Sequence, residues 1–385
     1  MSVILVLVGN PGCRRVAFWG AAAQRLGWSP PRLVSYADLL TGRTRLGDHV
    51  REDCLLRFET AADNWETFKL LLKHGAGPAR QEGYPALDDA EIDRLEYERG
   101  WLIRPRQVYL GYFRLLESLE EQIAKHEITT LHSADDITVC FDKPRCQQRL
   151  AEALLPIPQC FSSPRSYEEL RPLVLAEGRI IVKLAHGSGA AGCVALHGQG
   201  GRVRAITTVA EVVVSGETRL FHSKRLRHLL NEVEIATLID RLCVEKVHVE
   251  AWLPKARWQG QNFDLRVVTI GGVPRHTVVR TSPSVFTNLT LGNKRGDISA
   301  VAQRMGSEAW QQLCDTAAGV ARAFPHSFTL GIDILVRPDW QRHAVLEVNA
   351  FGDLLLGQHD KGEDTYTATL STWQRRQLYA EAGIA

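Results

Sequence analysis

The sequence predicts an α/β first unit followed by an α+β remainder, and three observations carry that prediction. An apolar run, Val3 to Val8, passes through the turn Gly9-Asn10-Pro11-Gly12 into an amphipathic helix from about Arg14 to Leu26, the β-turn-α opening of a doubly wound sheet. Apolar strands then recur between helical segments, at Leu33 to Tyr36, Cys54 to Phe58 and Ile128 to Leu131. After Asp135 the pattern changes to paired strands, with Gly271-Gly272 joining two apolar runs as a hairpin.

Between the first strands, Trp65 to Lys73 and Gln107 to Lys125 read as helices, and the first unit closes near residue 133. Its loop GNPG lacks the G-x-G-x-x-G spacing that sets a pyrophosphate on a helix start, so it reads as a turn. The stretch FDKPRCQQRLAEALLPIPQC gives a turn, an amphipathic helix and a Pro-bounded strand entry. Strands follow around Arg179 to Leu184, Val194 to His197 and Ala210 to Val214. A helix is expected from about Ser223 to Leu242, with the basic run Lys224 to His228 as its solvated face. Then come the strand Val247 to Leu253, the Gly-Gly hairpin, a helix from Ser307 to Phe324, and two strands, Thr329 to Val336 and His343 to Val348.

With 385 residues, 45% hydrophobic and 23% charged, the chain can bury a large core in two or three packed units. Lys+Arg 46 against Asp+Glu 44 leaves a formal charge of +2, without the clustered positive charge of a nucleic-acid binder. The eight cysteines form no C-x-x-C pair, which points away from zinc knuckles and disulfide frameworks toward buried thiols in a reducing compartment. MSVILVLVG carries no basic n-region or small-residue cleavage pattern, and no transmembrane run follows, so a cytoplasmic location is expected.

Chemistry concentrates in two places. In IVKLAHGSGAAG, a buried strand carries Lys183 and then gives way to Gly, Ala and Ser, the composition whose backbone is costliest to order. It is either a glycine-rich hairpin turn or a lid whose N–H groups wrap phosphate oxygens beside the lysine. His186 in this loop reads as a surface histidine. In GIDILV and AVLEVNAFGD, Glu347 and Asn349 stand at i and i+2 on one face of a strand, and pairing through the turn near Pro338-Asp339 brings Asp333 to the same spot. Three oxygen donors suit hard Mg²⁺ completed by substrate phosphates, with ATP the natural donor. The alternative is that Asp333 and Asn349 cap turns while Glu347 pairs with an arginine. Neither G-x-S-x-G nor G-x-x-x-x-G-K-[ST] is present, and the histidines show no H-x-x-x-H pair.

FDK with a downstream PIP, IVKLAHGSGAAG, VEAWLPK, DLRVV, VVRTSPSVFTNLTLG, GID and LEVN occur in one order over residues 135 to about 360. Together they resemble the ATP-grasp superfamily, on the side of its carboxylate-amine ligases and the ribosomal-protein-glutamate-ligase-like branch. The resemblance implies a Rossmann-like pre-ATP-grasp domain at 1–133, a small lobe with the Gly-rich lid at 134–220 and a large lobe with the metal site at 221–385. It also implies roles. Lys143 and Lys183 hold the α- and β-phosphates of ATP under a lid of Gly187, Ser188, Gly189 and Gly192. Glu250, Ala251, Trp252 and Leu253 form the hinge strand beside adenine. Lys255 stands where an acid for the ribose is common. Arg266, Arg280 and Asn288 meet the transferred phosphate and the acceptor, with Lys294 and Arg295 as further anion contacts, and Asp333, Glu347 and Asn349 bind Mg²⁺ or Mn²⁺. The implied reaction joins a small-molecule or peptide carboxylate to an amine or thiol through an acylphosphate, releasing ADP and phosphate. The same lobes also support a phosphotransferase, and a nucleotide-binding module without turnover is the reading from another class. Substrate choice is expected to rest on the first domain and on loops such as 352–365.

Overall fold

Strand β1 (Ile4–Gly9) is flanked by β2 (Arg32–Ser35) and β3 (Cys54–Phe58), and β4 (Thr129–Thr130) follows β3, in a parallel sheet of order β2-β1-β3-β4. The computed structural model describes residues 3–351, 355 and 357–381. Leu5, Val6, Leu7 and Val8 are fully buried, as a strand covered by helices on both faces requires. Two of those helices, Trp65–Gln81 and Pro105–Lys125, cross where glycine meets glycine. A Cβ on Gly75 would stand 1.8 Å from the carbonyl oxygen of Gln107, and one on Gly111 1.9 Å from that of Leu71.

The second sheet contains β5 (Cys160–Phe161), β6 (Arg179–Leu184), β7 (Cys193–Gln199), β8 (Arg202–Val214), β9 (Glu217–Leu229) and β10 (Val247–Ala251), in the order β5-β10-β6-β7-β8-β9. Helices Tyr167–Glu177 and Glu232–Cys243 bury Leu170, Val174, Ile235 and Leu238 against it. This corrects the expected helix from Ser223 to Leu242. Its first part, including the basic run Lys224 to His228, is strand β9, and the helix begins only at Glu232. Lys, Arg and Leu favour a helix locally, but pairing with β8 from Ala205↔Leu229 to Val214↔Glu217 overrides that preference. Strand β9 runs through position 220, and β10 returns to the same sheet between β5 and β6.

The third sheet is built from β11 (Arg257–Trp258), β12 (Gln261–Ile270), β13 (Val273–Ser282), β14 (Lys294–Gly296), β15 (Thr329–Val336) and β16 (His343–Asn349), ordered β14-β13-β12-β15-β16 with β11 paired to β12. The β12–β13 hairpin turns at Gly271 and Gly272, with φ of 57° and 81°. One face of the sheet, with Leu265, Val267, Val279, Ile332 and Ile334, packs on helices Ile298–Met305 and Ser307–Ala323. The alternate residues point the other way, and these are the charged ones. A short hairpin, β17 (His359–Asp360) and β18 (Glu363–Asp364), leads to helix Thr365–Glu381, which packs on helix Arg14–Arg25. Residues 352–354 and 356 of the expected specificity loop lie outside the described residues.

The first unit also grips the outer edge of the second sheet. The N–H of Leu102 donates to the Leu220 carbonyl at 2.9 Å, and that of His222 to the Gly100 carbonyl at 2.7 Å. All eight cysteines are free thiols, with Cys54, Cys140, Cys146 and Cys193 buried. Among the described residues, no helix is long and apolar enough to cross a membrane.

Candidate functional site

The charged face of the third sheet follows from strand register. Asp264 lies opposite Arg280, Arg266 opposite Asp333, and Asp333 opposite Glu347, so five charged residues on four adjacent strands share one face. Arg280 donates to Asp264 through Nε at 2.7 Å and reaches Asp333 through Nη2 at 3.1 Å. Arg266 forms a fork with Asp333, its Nη2 at 3.1 Å from Oδ2 and its Nε on Oδ1. Burial opposes the charge on Asp333, but Arg266 and Arg280 still hold its carboxyl below the usual carboxylate range. Asp264 is held low against the same penalty by Arg280 and Lys255. Arg266 is therefore held in a structural ion pair, and Arg280 stands between the same carboxylates.

Asp333 is 3% exposed with both oxygens engaged, whereas the Glu347 carboxylate stays 22% exposed. Asn349, opposite Gly331, donates to the Gly331 carbonyl at 3.3 Å, leaving its side-chain oxygen as the donor for a cation. Among the described residues no group of three His, Cys, Asp or Glu side chains converges as a metal site. Glu347 and Asn349 nevertheless fit a hard ion that takes one or two protein oxygens and the rest from phosphate and water. Asp333 fits only once an arginine releases it.

The second sheet supplies the opposing cations. Lys183 lies diagonal to Glu250 across the β6–β10 pair, and its ammonium is 2.5 Å from Oε1, while His248 Nε2 lies 3.2 Å from Oε2. Burial works against both charges, yet each ion holds the other: Lys183 is raised, and Glu250 is lowered to about 2. Lys143 opens helix Lys143–Glu152, capped by Asp142, which accepts from the Arg145 N–H at 3.2 Å. Its ammonium donates to the Gly187 carbonyl and lies 3.3 Å from Glu347 Oε1, so it bridges the lid and the third sheet.

The lid bends through positive φ at Gly189, Ala190 and Gly192 (60°, 65° and 70°). A Cβ on Gly192 would meet Leu184 at 2.3 Å, so glycine is required there by both conformation and space. Thr290 donates to the Gly189 carbonyl at 3.0 Å, tying the lid to the third sheet's long loop. His186, at its root, is not the surface residue expected. Its side chain is 1% exposed, with Nε2 at 3.2 Å from Asp142 and 3.0 Å from Arg106. Burial, despite Asp142, lowers its pKa to about 4.

These groups line a cleft between the second and third sheets. Lys143, Lys183, Gly187, Glu250, Ala251, Trp252, Leu253, Lys255, Arg280, Asn288, Asp333 and Glu347 all reach it, and Ile181, Val285, Phe286, Leu335 and Leu346 give it apolar surface. Ser188, Gly189, Arg266 and Asn349 line an adjoining cavity of about 1180 Å³ that shares Lys143, Gly187, Arg280, Asn288 and Glu347 with the first. Gly192 packs against Leu184 at the lid root. Lys294 and Arg295 are exposed on edge strand β14, apart from the lining of both cavities. The N–H groups of Ala251 and Trp252 already donate to the Gln159 and Arg179 carbonyls, at 2.8 and 3.1 Å. The Lys255 side chain is 9% exposed and donates to Asp264 at 3.0 Å and to Thr287 at 2.6 Å, and burial lowers its pKa.

Sequence reasoning gave no role to Asp264, Thr287 or Asp142. The alternation Asp264-Leu-Arg266 inside an apolar strand is the signal that would have exposed the first. No local signal marks Thr287, whose partners lie 23 and 32 residues away.

No protein-family model matches this chain, and no curated protein does. Solved structures do match it. The chain is similar to the ATP-grasp ligase PsnB, solved with a phosphomimetic variant of its minimal precursor, Mg and ADP, at 14% identity and a TM-score of 0.55 over 97% of this chain and 99% of the other. It is similar to macrocyclase MdnC from Microcystis aeruginosa, bound with its precursor peptide MdnA, at 12% identity and a TM-score of 0.53 over 97% and 100%. It is also similar to a Chryseobacterium gregarium RiPP-associated ATP-grasp ligase in complex with ADP and a leader and core peptide, at 11% identity and a TM-score of 0.52 over 97% of each chain.

Proposed function

This chain has the ATP-grasp fold, and from that premise we propose that it is an ATP- and Mg²⁺-dependent ligase, activating a carboxylate as its acylphosphate and passing the acyl group to an amine or thiol. The observation that carries this reading is the position of Lys143, whose ammonium touches a lid carbonyl and a metal-capable carboxylate at once. A triphosphate running past that lysine has Lys183 behind it and Glu347 and Asn349 ahead. The base lies against Ile181, Phe286 and Leu335, and because the Ala251 and Trp252 N–H groups are spent, Leu253 meets its polar edge.

Glu347 and Asn349 would hold the divalent ion, which supplies charge neutralisation on the phosphate oxygens. The substrate carboxylate attacks the γ-phosphorus as the bond to ADP breaks, and the nucleophile then displaces phosphate from the acyl carbon. Lys143, Lys183 and Arg280 offset the charge on the phosphoryl oxygens, and the lid keeps water out. Arg280 stands between Asp333 and the phosphate side, while the Arg266 fork engages both Asp333 oxygens, so Asp333 would join the metal only if both arginines turned away.

The test is ADP and phosphate release that requires both an added carboxylate and an amine. AMP and pyrophosphate as products overturn the reading. Glu347→Ala is expected to lower turnover by at least about a thousandfold while the fold stays intact by circular dichroism. Undiminished activity in that variant removes Glu347 from the site.

A further inference from the structure

A third cavity shares only the lid residues Gly187 and Ala191 with the cavity assigned to the nucleotide. It lies between the crossing helices of the first unit and the lid, walled by Phe68, Leu71, Trp101, Ile103, Tyr109 and Tyr112. Its polar lining includes Arg15, Thr60, Asp63 and the lid residues His186 and Ser188, of which Arg15, Thr60 and Ser188 also line the phosphate-side cavity. His186 packs on Tyr109 at 4.1 Å between ring centroids, and its buried Nδ1 has no hydrogen-bond partner. Arg15, Thr60, Phe141, Gly187 and Ser188 belong to this cavity and to the phosphate-side cavity alike, so the chamber adjoins the phosphate side of the nucleotide site.

Arg15 is the cation at the mouth shared by the two cavities, held by Glu59 and Asp63, each at 3.0 Å. Asp63 lines only the chamber. The Arg15 charge is already met by these two carboxylates, so the junction is polar and balanced, with the apolar walls behind it. A charged body inside the aromatic walls would lose its hydration without a partner.

We propose that this chamber seats the large apolar, aromatic-bearing body of the carboxylate substrate, with the carboxylate directed out of the chamber, past the polar junction, toward the γ-phosphate. The proposal rests on the ligase reading and adds the substrate class to it. A hydroxyl or amide on that body can satisfy His186 Nδ1. Selectivity follows from area: each further buried methylene is worth about four-fold in affinity.

Calorimetry on the full chain with Mg²⁺ and AMPPNP tests the chamber without turnover, using 3-phenylpropionate and hexanoate against acetate and glutarate. The apolar pair should bind at least about tenfold more tightly. With ATP and hydroxylamine, each acylphosphate is trapped as a hydroxamate: nitrogen attacks the acyl carbon, phosphate leaves and a proton passes to solvent. Hydroxamate yield should follow the same order. Ala62→Trp, at an exposed position on the chamber wall, should weaken 3-phenylpropionate binding about tenfold and leave the AMPPNP-induced thermal shift unchanged. Glutarate binding as well as 3-phenylpropionate, or no effect of Ala62→Trp, overturns the chamber assignment while the ligase reading stands. No thermal shift with AMPPNP, or no hydroxamate from a carboxylate that binds, overturns the ligase reading instead.

Discussion

Glu250 is a carboxylate at 2% exposure whose charge is met by Lys183 at 2.5 Å and by the imidazole of His248 at 3.2 Å. Removing one member of such a pair strands the other in a low-dielectric interior, which typically costs 3–5 kcal/mol. Glu250→Ala should therefore lower stability by about 3–5 kcal/mol in urea unfolding. The double replacement Lys183→Met with Glu250→Leu should restore most of that and still abolish the AMPPNP-induced thermal shift. Equal loss of stability in the single and double variants would contradict the pairing. His186 is one source of the pH dependence, beside His132, which burial and Arg57 hold well below the usual imidazole range. Buried against Tyr109 and facing Asp142, Arg106 and Lys246, His186 stays neutral down to about 4, whereas an unfolded histidine takes up its proton near 6.5. The unfolded state then binds more protons between those values, so stability is complete above about pH 6.5 and declines toward pH 4, by on the order of 3 kcal/mol. Glu250 and Asp142, both held low, add losses only as the pH falls below about 4. Urea midpoints from pH 7 to pH 4 should show the upper limb in the wild type and a flattened one in His186→Gln.

Elements of this chain are legible where the local signal and the tertiary demand agree. The strand Cys54 to Phe58 and the Gly271-Gly272 turn emerge with their expected bounds, because apolar runs and positive-φ glycines mean the same thing in isolation and in the fold. Strand β9 does not, since its Lys, Arg and Leu content favours a helix and only β8 makes it extended. The close approach of helices Trp65–Gln81 and Pro105–Lys125 was equally hidden, because a helical glycine marks no partner until the facing backbone is known. At Gly75 that backbone is the Gln107 carbonyl, 1.8 Å from where a Cβ would stand. Gly75→Ala has to separate the helices or distort one of them, so a loss of about 2–4 kcal/mol is expected, although alanine is the better helix former by about 1 kcal/mol. Denaturant unfolding of the variant decides it, and a gain in stability would mean that the two backbones do not touch.

At the scale of the molecule, the site joins strands of the second and third sheets with helix and loop residues of the first unit, which is why its halves were readable and its junctions were not. Lys143, Lys183, Glu347 and Asn349 each stand in a short motif whose chemistry shows locally, whereas Asp264 and Arg15 gain their roles from partners across strands or units. The same distinction sets the last prediction. The first unit closes over the chamber through the Gly100 to Leu102 segment on the edge of β9, with Trp101 stacked under Arg219 at 4.1 Å and Arg219 paired to Glu98 at 2.5 Å. Gly100 has φ of 87°, and a Cβ there would lie 2.9 Å from the His222 carbonyl oxygen, so any other residue strains the backbone and pushes the segment away from the sheet. In Gly100→Val the contact should open while both units keep their own cores. Hydrogen exchange is then expected to quicken at the Leu102 and His222 amides and to stay slow in β1 and β6. Because the nucleotide cavity lies between the second and third sheets, AMPPNP affinity should change by less than about two-fold, while carboxylate affinity falls by about tenfold. If the two affinities fall together, the edge contact holds the whole site in shape; if neither falls, the chamber does not depend on this strand pairing.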